Sequence, residues 1–302
     1  MSVATGQPTG QPAVDLREPA GWRRTKNRIA TILMWIAFVC TLIPLGFVMF
    51  TVIQKGANAI TWQFLTGNPI PVNVAPPGAP GGFAAAIVGT LIITGFAAVI
   101  AIPLGILGAI YINEYGGKGW LAKFIGFMSD VMTGVPSIIM GLFIFTIWVL
   151  HFGYSGVAGS LALGCLMLPI VIRSTYEMLR LVPDSLREGS YALGASKSRV
   201  TLTVVLPAAL GGIVSGALLA VARAAGETAP LLFTVLTVES INSNLFQGAN
   251  TALPLQIFSN ATSPYVGAEQ RAWGAALTLI AITFILMIAA RLITSRFATD
   301  TR

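Results

Sequence analysis

Two charged side chains stand where charge is most costly. Arg223 and Glu227 lie four residues apart in an apolar stretch, within the run Arg223-Ala-Ala-Gly-Glu-Thr-Ala-Pro230. A charge inside a membrane span costs about 2.5–3.5 kcal/mol on insertion scales, so such a residue faces a partner, water or a substrate. Four-residue spacing puts both on one helix face. Two readings follow: a self-satisfied structural pair, or an anion site on a water-accessible path that includes Thr228. The planar guanidinium fork suits a tetrahedral oxyanion, which it can bind bidentately. Glu227 then holds Arg223 in its rotamer or releases it as the cavity changes.

Arg173 is a second candidate charge within a span, with Glu177 four residues on to neutralise it. At 1.5 Å rise per residue it lies about 24 Å from the start of its apolar segment, in the inner half. Arg223 is expected nearer the outer half. The two are either successive contacts for an anion, or Arg173 is structural. The third segment, Thr133-Gly-Val-Pro-Ser137-Ile, combines a proline that frees a backbone carbonyl with a glycine that allows close helix approach. It reads as a kinked packing helix or as a pore-lining hydroxyl at Ser137.

A different signal sits in the one strongly charged internal segment, 180–200. A short amphipathic helix is expected near 186–197. Leu186, Ala192, Leu193 and Ala195 are its apolar residues, and Arg187, Glu188, Lys197 and Arg199 its charged ones. Gly194 would end or sharply turn it. This is either a solvated connector or a rigid element on which a soluble motor can push.

No catalytic residue is expected. There is no nucleophile–base pair and no metal-ligand cluster; Cys40 and Cys165 sit in apolar runs, and the lone His151 ends a segment. Residues 194–198, Gly-Ala-Ser-Lys-Ser, mimic the end of a phosphate-binding loop. Ser196, however, stands where a glycine must precede the lysine. The chain itself is expected to bind no cofactor.

The elements that must position these residues are membrane helices. The chain is 55% hydrophobic and 10% charged, with mean hydropathy +0.80, against about 25% charged for a soluble domain. The net charge of +7 is spread between apolar segments, which indicates topology rather than nucleic-acid binding. Residues 1–28 read as a cytoplasmic tail, disordered over 1–21, where Pro, Gly, Thr and Gln dominate. The apolar run 29–53 is too long for a signal-peptide core and reads as the first transmembrane helix. Residues 54–83 form a proline-rich extracytoplasmic loop. Further spans are expected at about 84–112, 121–150, 157–180, 202–233 and 272–293, with a second long connection at 234–270. The core thus runs 84–294, and 295–302 is a cytoplasmic tail. Of the 18 Lys and Arg, 14 fall on one side of these six spans and only Lys55 and Arg271 on the other. By the positive-inside rule both termini and the 180–200 segment are cytoplasmic.

With these motifs in place, the chain resembles the permeases of ABC importers that carry an EAA loop. Their pattern is E-A-A, three residues, Gly, nine residues, then I-x-L-P. Glu188, Gly194, Leu206 and Pro207 match it, with Gly189 and Ser190 where two alanines are usual and Val204 in place of Ile. The resemblance implies an all-α type I importer permease fold whose coupling helix sits in a groove of an ATPase. Arg187, Glu188, Gly189, Ser190, Ala192, Leu193, Gly194, Ala195 and Pro207 would then serve coupling.

Within that family the chain looks most like the phosphate permeases, on Arg223–Pro230, Gly134-Val-Pro-Ser-Ile138 and Leu168-Pro-Ile-Val-Ile-Arg173. The likeness covers about residues 80–293. The tail and the 54–83 loop look like the PstA type rather than its PstC partner. The resemblance implies functional charges at Arg223, Glu227 and Arg173. It also implies a homologous PstC-type permease, a homodimeric PstB-type ATPase that binds ATP and Mg, a PstS-type extracytoplasmic phosphate-binding protein, and membrane lipid as partners. A permease for sulfate or molybdate, and an ATP-independent anion channel or carrier, are the alternatives.

Overall fold

The structure is a computed structural model and describes residues 20–68, 81–238 and 240–298. The expected disordered tail up to residue 19, the proline-rich stretch 69–80 and the last residues 299–302 lie outside the described residues. Two compact units divide between Thr51 and Val52. The first holds most of α1 (Ala20–Ala57), which runs on past Pro44 as one helix. It is apolar on every side through its middle, a pattern suited to lipid.

The second unit contains the remaining elements. They are α2 (Trp62–Thr66), α3 (Ala84–Ile110) with a π turn at Tyr111–Tyr115, α4 (Trp120–Gly134), and α5 (Ser137–Ile144) with a π turn at Phe145–Val149. Next come α6 (Leu150–Phe152), α7 (Gly156–Arg180), α8 (Asp184–Ala192), and α9 (Lys197–Val200) with a π turn at Thr201–Val205. The last four are α10 (Leu206–Ala225), α11 (Leu231–Thr234), α12 (Leu253–Ala261) and α13 (Val266–Ala298). Among the described residues, five helices are long and apolar enough to cross a bilayer: Trp22–Ala57, Ala84–Tyr115, Gly156–Arg180, Lys197–Ala225 and Gly267–Leu292.

The remaining expected span, the third at 121–150, is broken. Its two pieces, Trp120–Gly134 and Ser137–Phe152, meet at 107°. Pro136 carries no N–H for the ladder. Val135 N–H instead donates to Met132 O at 3.3 Å, and a new helix starts with Ile139 N–H on Pro136 O at 3.0 Å.

Helix α7 lies at the centre. Its Leu163, Met167 and Val171 are buried against Ile93, Ala97 and Ala101 of α3 and Ala220 and Ala224 of α10. Small residues permit this closeness. A Cβ on Gly212 or Gly216 of α10 would collide with Met178 or Ser174 of α7. The four-residue step in each helix sets an antiparallel register, as small residues do at membrane helix crossings. In lipid such packing is driven by dispersion rather than by hydrophobic exclusion, so close contact matters more than apolar area.

Two expectations need correction. The fifth span ends at Ala225, not near Phe233. Pro230 offers no N–H to the Gly226 carbonyl and its ring would clash there, so the chain turns and resumes only as α11. The second long connection is also not a plain loop. It contains α12, and asparagines stitch the rest to the bundle. Asn250 Oδ1 accepts from Gly156 N–H at 2.7 Å, and its Nδ2 donates to Asn242 O at 2.8 Å. Leu236 N–H donates to Asn250 O at 3.1 Å, and Thr90 Oγ1 accepts from Leu253 N–H at 2.7 Å. These bonds satisfy backbone groups that would otherwise be buried without partners.

Gly216→Val is expected to lower the thermal midpoint of the detergent-solubilised protein, because overpacking costs about 1–3 kcal/mol. Gly95→Val, where nothing lies within 4 Å of the added Cβ, is expected to leave it unchanged.

Candidate functional site: an arginine path and a projecting helix

Arg223 occupies the last turn of α10, with its side chain 69% exposed. Glu227 is not on the same helix, contrary to the spacing argument. It lies in the turn beyond Gly226, where its N–H donates to Ala224 O at 3.1 Å. The turn still returns the carboxylate to the arginine, but loosely: Nε to Oε1 is 3.6 Å, and Glu227 is 21% exposed. Both flank Leu166, Met167 and Ile170 of α7. Thr228 starts the next turn through its carbonyl, which accepts from Leu231 N–H at 3.1 Å and Leu232 N–H at 3.2 Å.

The break at Pro136 has a positional consequence. It sends α5, which begins at Ser137, against this same turn. A Cβ on Gly141 would lie 2.8 Å from Pro230 O. Helix α5, which the Gly-Val-Pro-Ser segment leads into, is therefore packed through Gly141 on the end of the Arg223–Pro230 segment. Ser137 is half-buried at the head of α5.

Arg173 is held differently. Its Nε bonds Glu177 Oε1 at 3.0 Å, and its NH1 bonds Asp130 Oδ1 of α4 at 3.2 Å. The Glu177 pair was legible from spacing. The Asp130 pair, 43 residues away, was not; its only trace was a lone acid in an apolar segment. Since Arg223 lies beside Met167 and Ile170, Arg173 sits three to six residues further along α7, roughly 5–9 Å at 1.5 Å per residue. The arginines thus occupy successive levels.

At the other end of the bundle α8 projects with no buried residue. Pro183 precedes it and Asp184 lies in its first turn, where an acid favours the helix dipole. Leu193 is 89% exposed, and Glu188, Gly189 and Ala192 are exposed or partly so, with Ser190 and Ala195 near them. Gly194 ends the helix at φ +78°, a conformation that a side chain resists. Pro207 stands at the start of α10, just after the π turn Thr201–Val205.

Arg187 is the exception on α8, because it turns inward. Its NH2 pairs with Glu114 Oε1 at 3.1 Å and donates to Leu179 O at 2.9 Å. Its NH1 donates to Val182 O at 2.7 Å and to Asp184 Oδ1 at 2.9 Å. One guanidinium therefore joins α8 to the C-terminal ends of α3 and α7, capping carbonyls that the end of α7 leaves open. The Arg187 side chain is 14% exposed and that of Glu114 5%. Removing one partner of such a buried pair costs about 3–5 kcal/mol, because the other charge is stranded. Arg187→Ala is thus expected to destabilise the chain and to speed tryptic cleavage after Lys197 and Arg199. Pairing it with Glu114→Ala should cost less than the sum of the two single changes in a thermal double-mutant cycle.

Comparison with known proteins agrees with this architecture. Residues 101–299 match the family described as binding-protein-dependent transport system inner membrane component. The phosphate transport system permease protein PstA 1 of Mycobacterium tuberculosis (strain CDC 1551) is 44% identical over 277 residues, covering 90% of this chain and 89% of its own. The PstA permease of Yersinia pestis is 42% identical over 278 residues, covering 92% of each chain. Among solved structures, a bacterial alginate ABC transporter has a similar fold at TM-score 0.61 and 14% identity, covering 93% of this chain and 99% of that one. The MetNI methionine ABC transporter is similar at TM-score 0.55 and 21% identity, covering 72% and 94%. The chain is a multi-pass inner-membrane protein and not itself an enzyme, and it belongs to the binding-protein-dependent transport inner membrane component family as an ABC importer permease of the PstA type.

Proposed function

We propose that this chain is the transmembrane permease subunit of an ATP-driven importer of inorganic phosphate. The observation that carries the reading is Arg223. Its guanidinium is exposed at the end of a membrane helix and loosely held by one carboxylate at 3.6 Å, so an oxyanion can compete for it. The PstA names of relatives at 42–44% identity favour phosphate over sulfate or molybdate. A homologous PstC-type permease completes the path. A homodimeric PstB-type ATPase binds ATP and Mg, and a PstS-type protein delivers phosphate from outside. Both termini and α8 lie on the cytoplasmic side, where the Lys and Arg excess falls.

In this reading the exposed apolar residues of α8 and its end, Leu193 above all, seat in a groove of the ATPase. Closure of the ATPase dimer on ATP moves α8. The Arg187 connection carries that movement to the ends of α3 and α7, and α7 both bears Arg173 and flanks Arg223. Phosphate released from its binding protein meets Arg223 first and the Arg173 level next, and hydrolysis resets the path.

ATP-dependent uptake of labelled phosphate by vesicles holding the whole complex tests this. Arg223→Gln is expected to lower uptake at least tenfold with the ATPase still bound, since a charge-assisted bidentate contact is lost. Gly194→Asp is expected to break ATPase binding or coupling, because a side chain is forced to φ +78°. Gly189→Ala, with open space around the added Cβ, is expected to be tolerated. Normal uptake by Arg223→Gln makes that pair structural. Uptake without any ATPase favours the channel or carrier reading, and competition by sulfate or molybdate favours the other oxyanions.

A further inference from the structure

The two arginines differ in how they are held, and the difference is informative. Arg223 has one carboxylate at 3.6 Å, which is beyond hydrogen-bond range, and is 69% exposed. Arg173 has two carboxylates in hydrogen-bond contact, at 3.0 and 3.2 Å, from two different helices. Local charge at the Arg173 level is therefore negative, with two acids against one base. An anion arriving there meets repulsion and finds two of the five guanidinium N–H donors already used.

The second acid has an informative position. Glu177 shares α7 with Arg173 and moves with it. Asp130 belongs to α4, so its bond depends on how α4 lies against α7. The packing of the two helices near this point is light: Ser129 Oγ reaches Pro169 O at 3.4 Å, and Gly126 has nothing within 4 Å of an added Cβ. A recess lined by Ile112, Gly126, Ser129, Asp130, Arg173 and Tyr176 opens beside this contact. Helix α4 also ends at the Pro136 break, so the bent segment that packs on the Arg223 turn continues into the helix bearing Asp130.

We infer that Asp130 is a gating residue of the transport path: its bond to Arg173 closes the inner level to anions, and sliding of α4 against α7 opens it. The inference rests on the phosphate reading and deepens it. In the closed arrangement Asp130 occupies an NH1 donor of Arg173 and fixes a second negative charge beside the guanidinium. Opening that pair removes one negative charge from the level and frees that donor, so the anion replaces the carboxylate at similar hydrogen-bonding cost. The gate thus excludes anions while closed and accepts them when the helices part.

The test uses liposomes holding the complete complex, preloaded with labelled inorganic phosphate and free of ATP. Wild type is expected to retain the label. Asp130→Asn, which keeps shape but removes the charge, is expected to leak roughly tenfold faster or more, as the loss of a charge within a few ångströms of the path implies. Asp130→Glu is expected to restore most of the seal, because the carboxylate returns. Thermal midpoints and co-purified ATPase are measured for each variant, so a leak from a disassembled complex is recognised and counts against the gate. Asp130→Asn vesicles as tight as wild type overturn it, whether or not their ATP-driven uptake survives. Wild-type uptake with ATP is the separate control: its absence for phosphate contradicts the transport reading, not the gate.

Discussion

Helix α7 can sit at the middle of the bundle only because its neighbours offer it small side chains. Gly212 and Gly216 of α10 lie against Met178 and Ser174, while Ala97 and Ala101 of α3 meet its other side. In lipid there is little gain from hiding apolar surface, so helices associate where backbones approach closely enough for dispersion to accumulate. That requirement fixes the register between α7 and α10, and the register fixes the levels of the charges. Arg223 falls beside Met167 and Ile170 because Gly216 falls beside Ser174. Neither arginine could be placed relative to the other without that contact.

Each of these three arginines is answered in the apolar frame, but in distinct ways. Arg187 and Glu114 are largely shielded from solvent and tightly bonded, as a permanent joint between α8 and the bundle needs. Arg173 is bonded to two acids on an open face. Arg223 is the loosest and the most exposed of the three. The gradient from locked to available is the one that the proposed roles require: transmission at one end, a barrier in the bundle, and first contact with an anion at the other end.

Much of this was legible in the sequence. Apolar length gave the spans, and the Glu188–Gly194 spacing marked the projecting helix, whose end at Gly194 the structure places in a positive-φ turn. The arginines stood out because charge in an apolar run is costly. What was not legible depends on tertiary contact or on the reach of a single proline. Apolar composition continues past Ala225, so nothing in hydropathy announced that Pro230 would stop α10 and put Glu227 in a turn. The 107° break at Pro136 exceeds the kink that a lone proline suggests, and it is stabilised by packing of Gly141 on Pro230. The polar run around Asn242–Asn250 resembled a solvated loop, yet Asn250 is buried and caps the start of α7. The partners Asp130 and Glu114 were also hidden, since pairing between distant acids and bases needs the helix register.

Arg223 is proposed to line a path open alternately to each side of the membrane and visited by phosphate. The most direct measurement is thiol accessibility at that position. Arg223→Cys, in a complex whose Cys40 and Cys165 are replaced by serine, is exposed to a membrane-impermeant cationic thiol reagent from one side at a time. The expected result is labelling from the outer side when the ATPase is trapped with ATP and from the inner side without nucleotide. A cysteine that never reacts, or that reacts from one side regardless of nucleotide, would contradict an alternating path at Arg223.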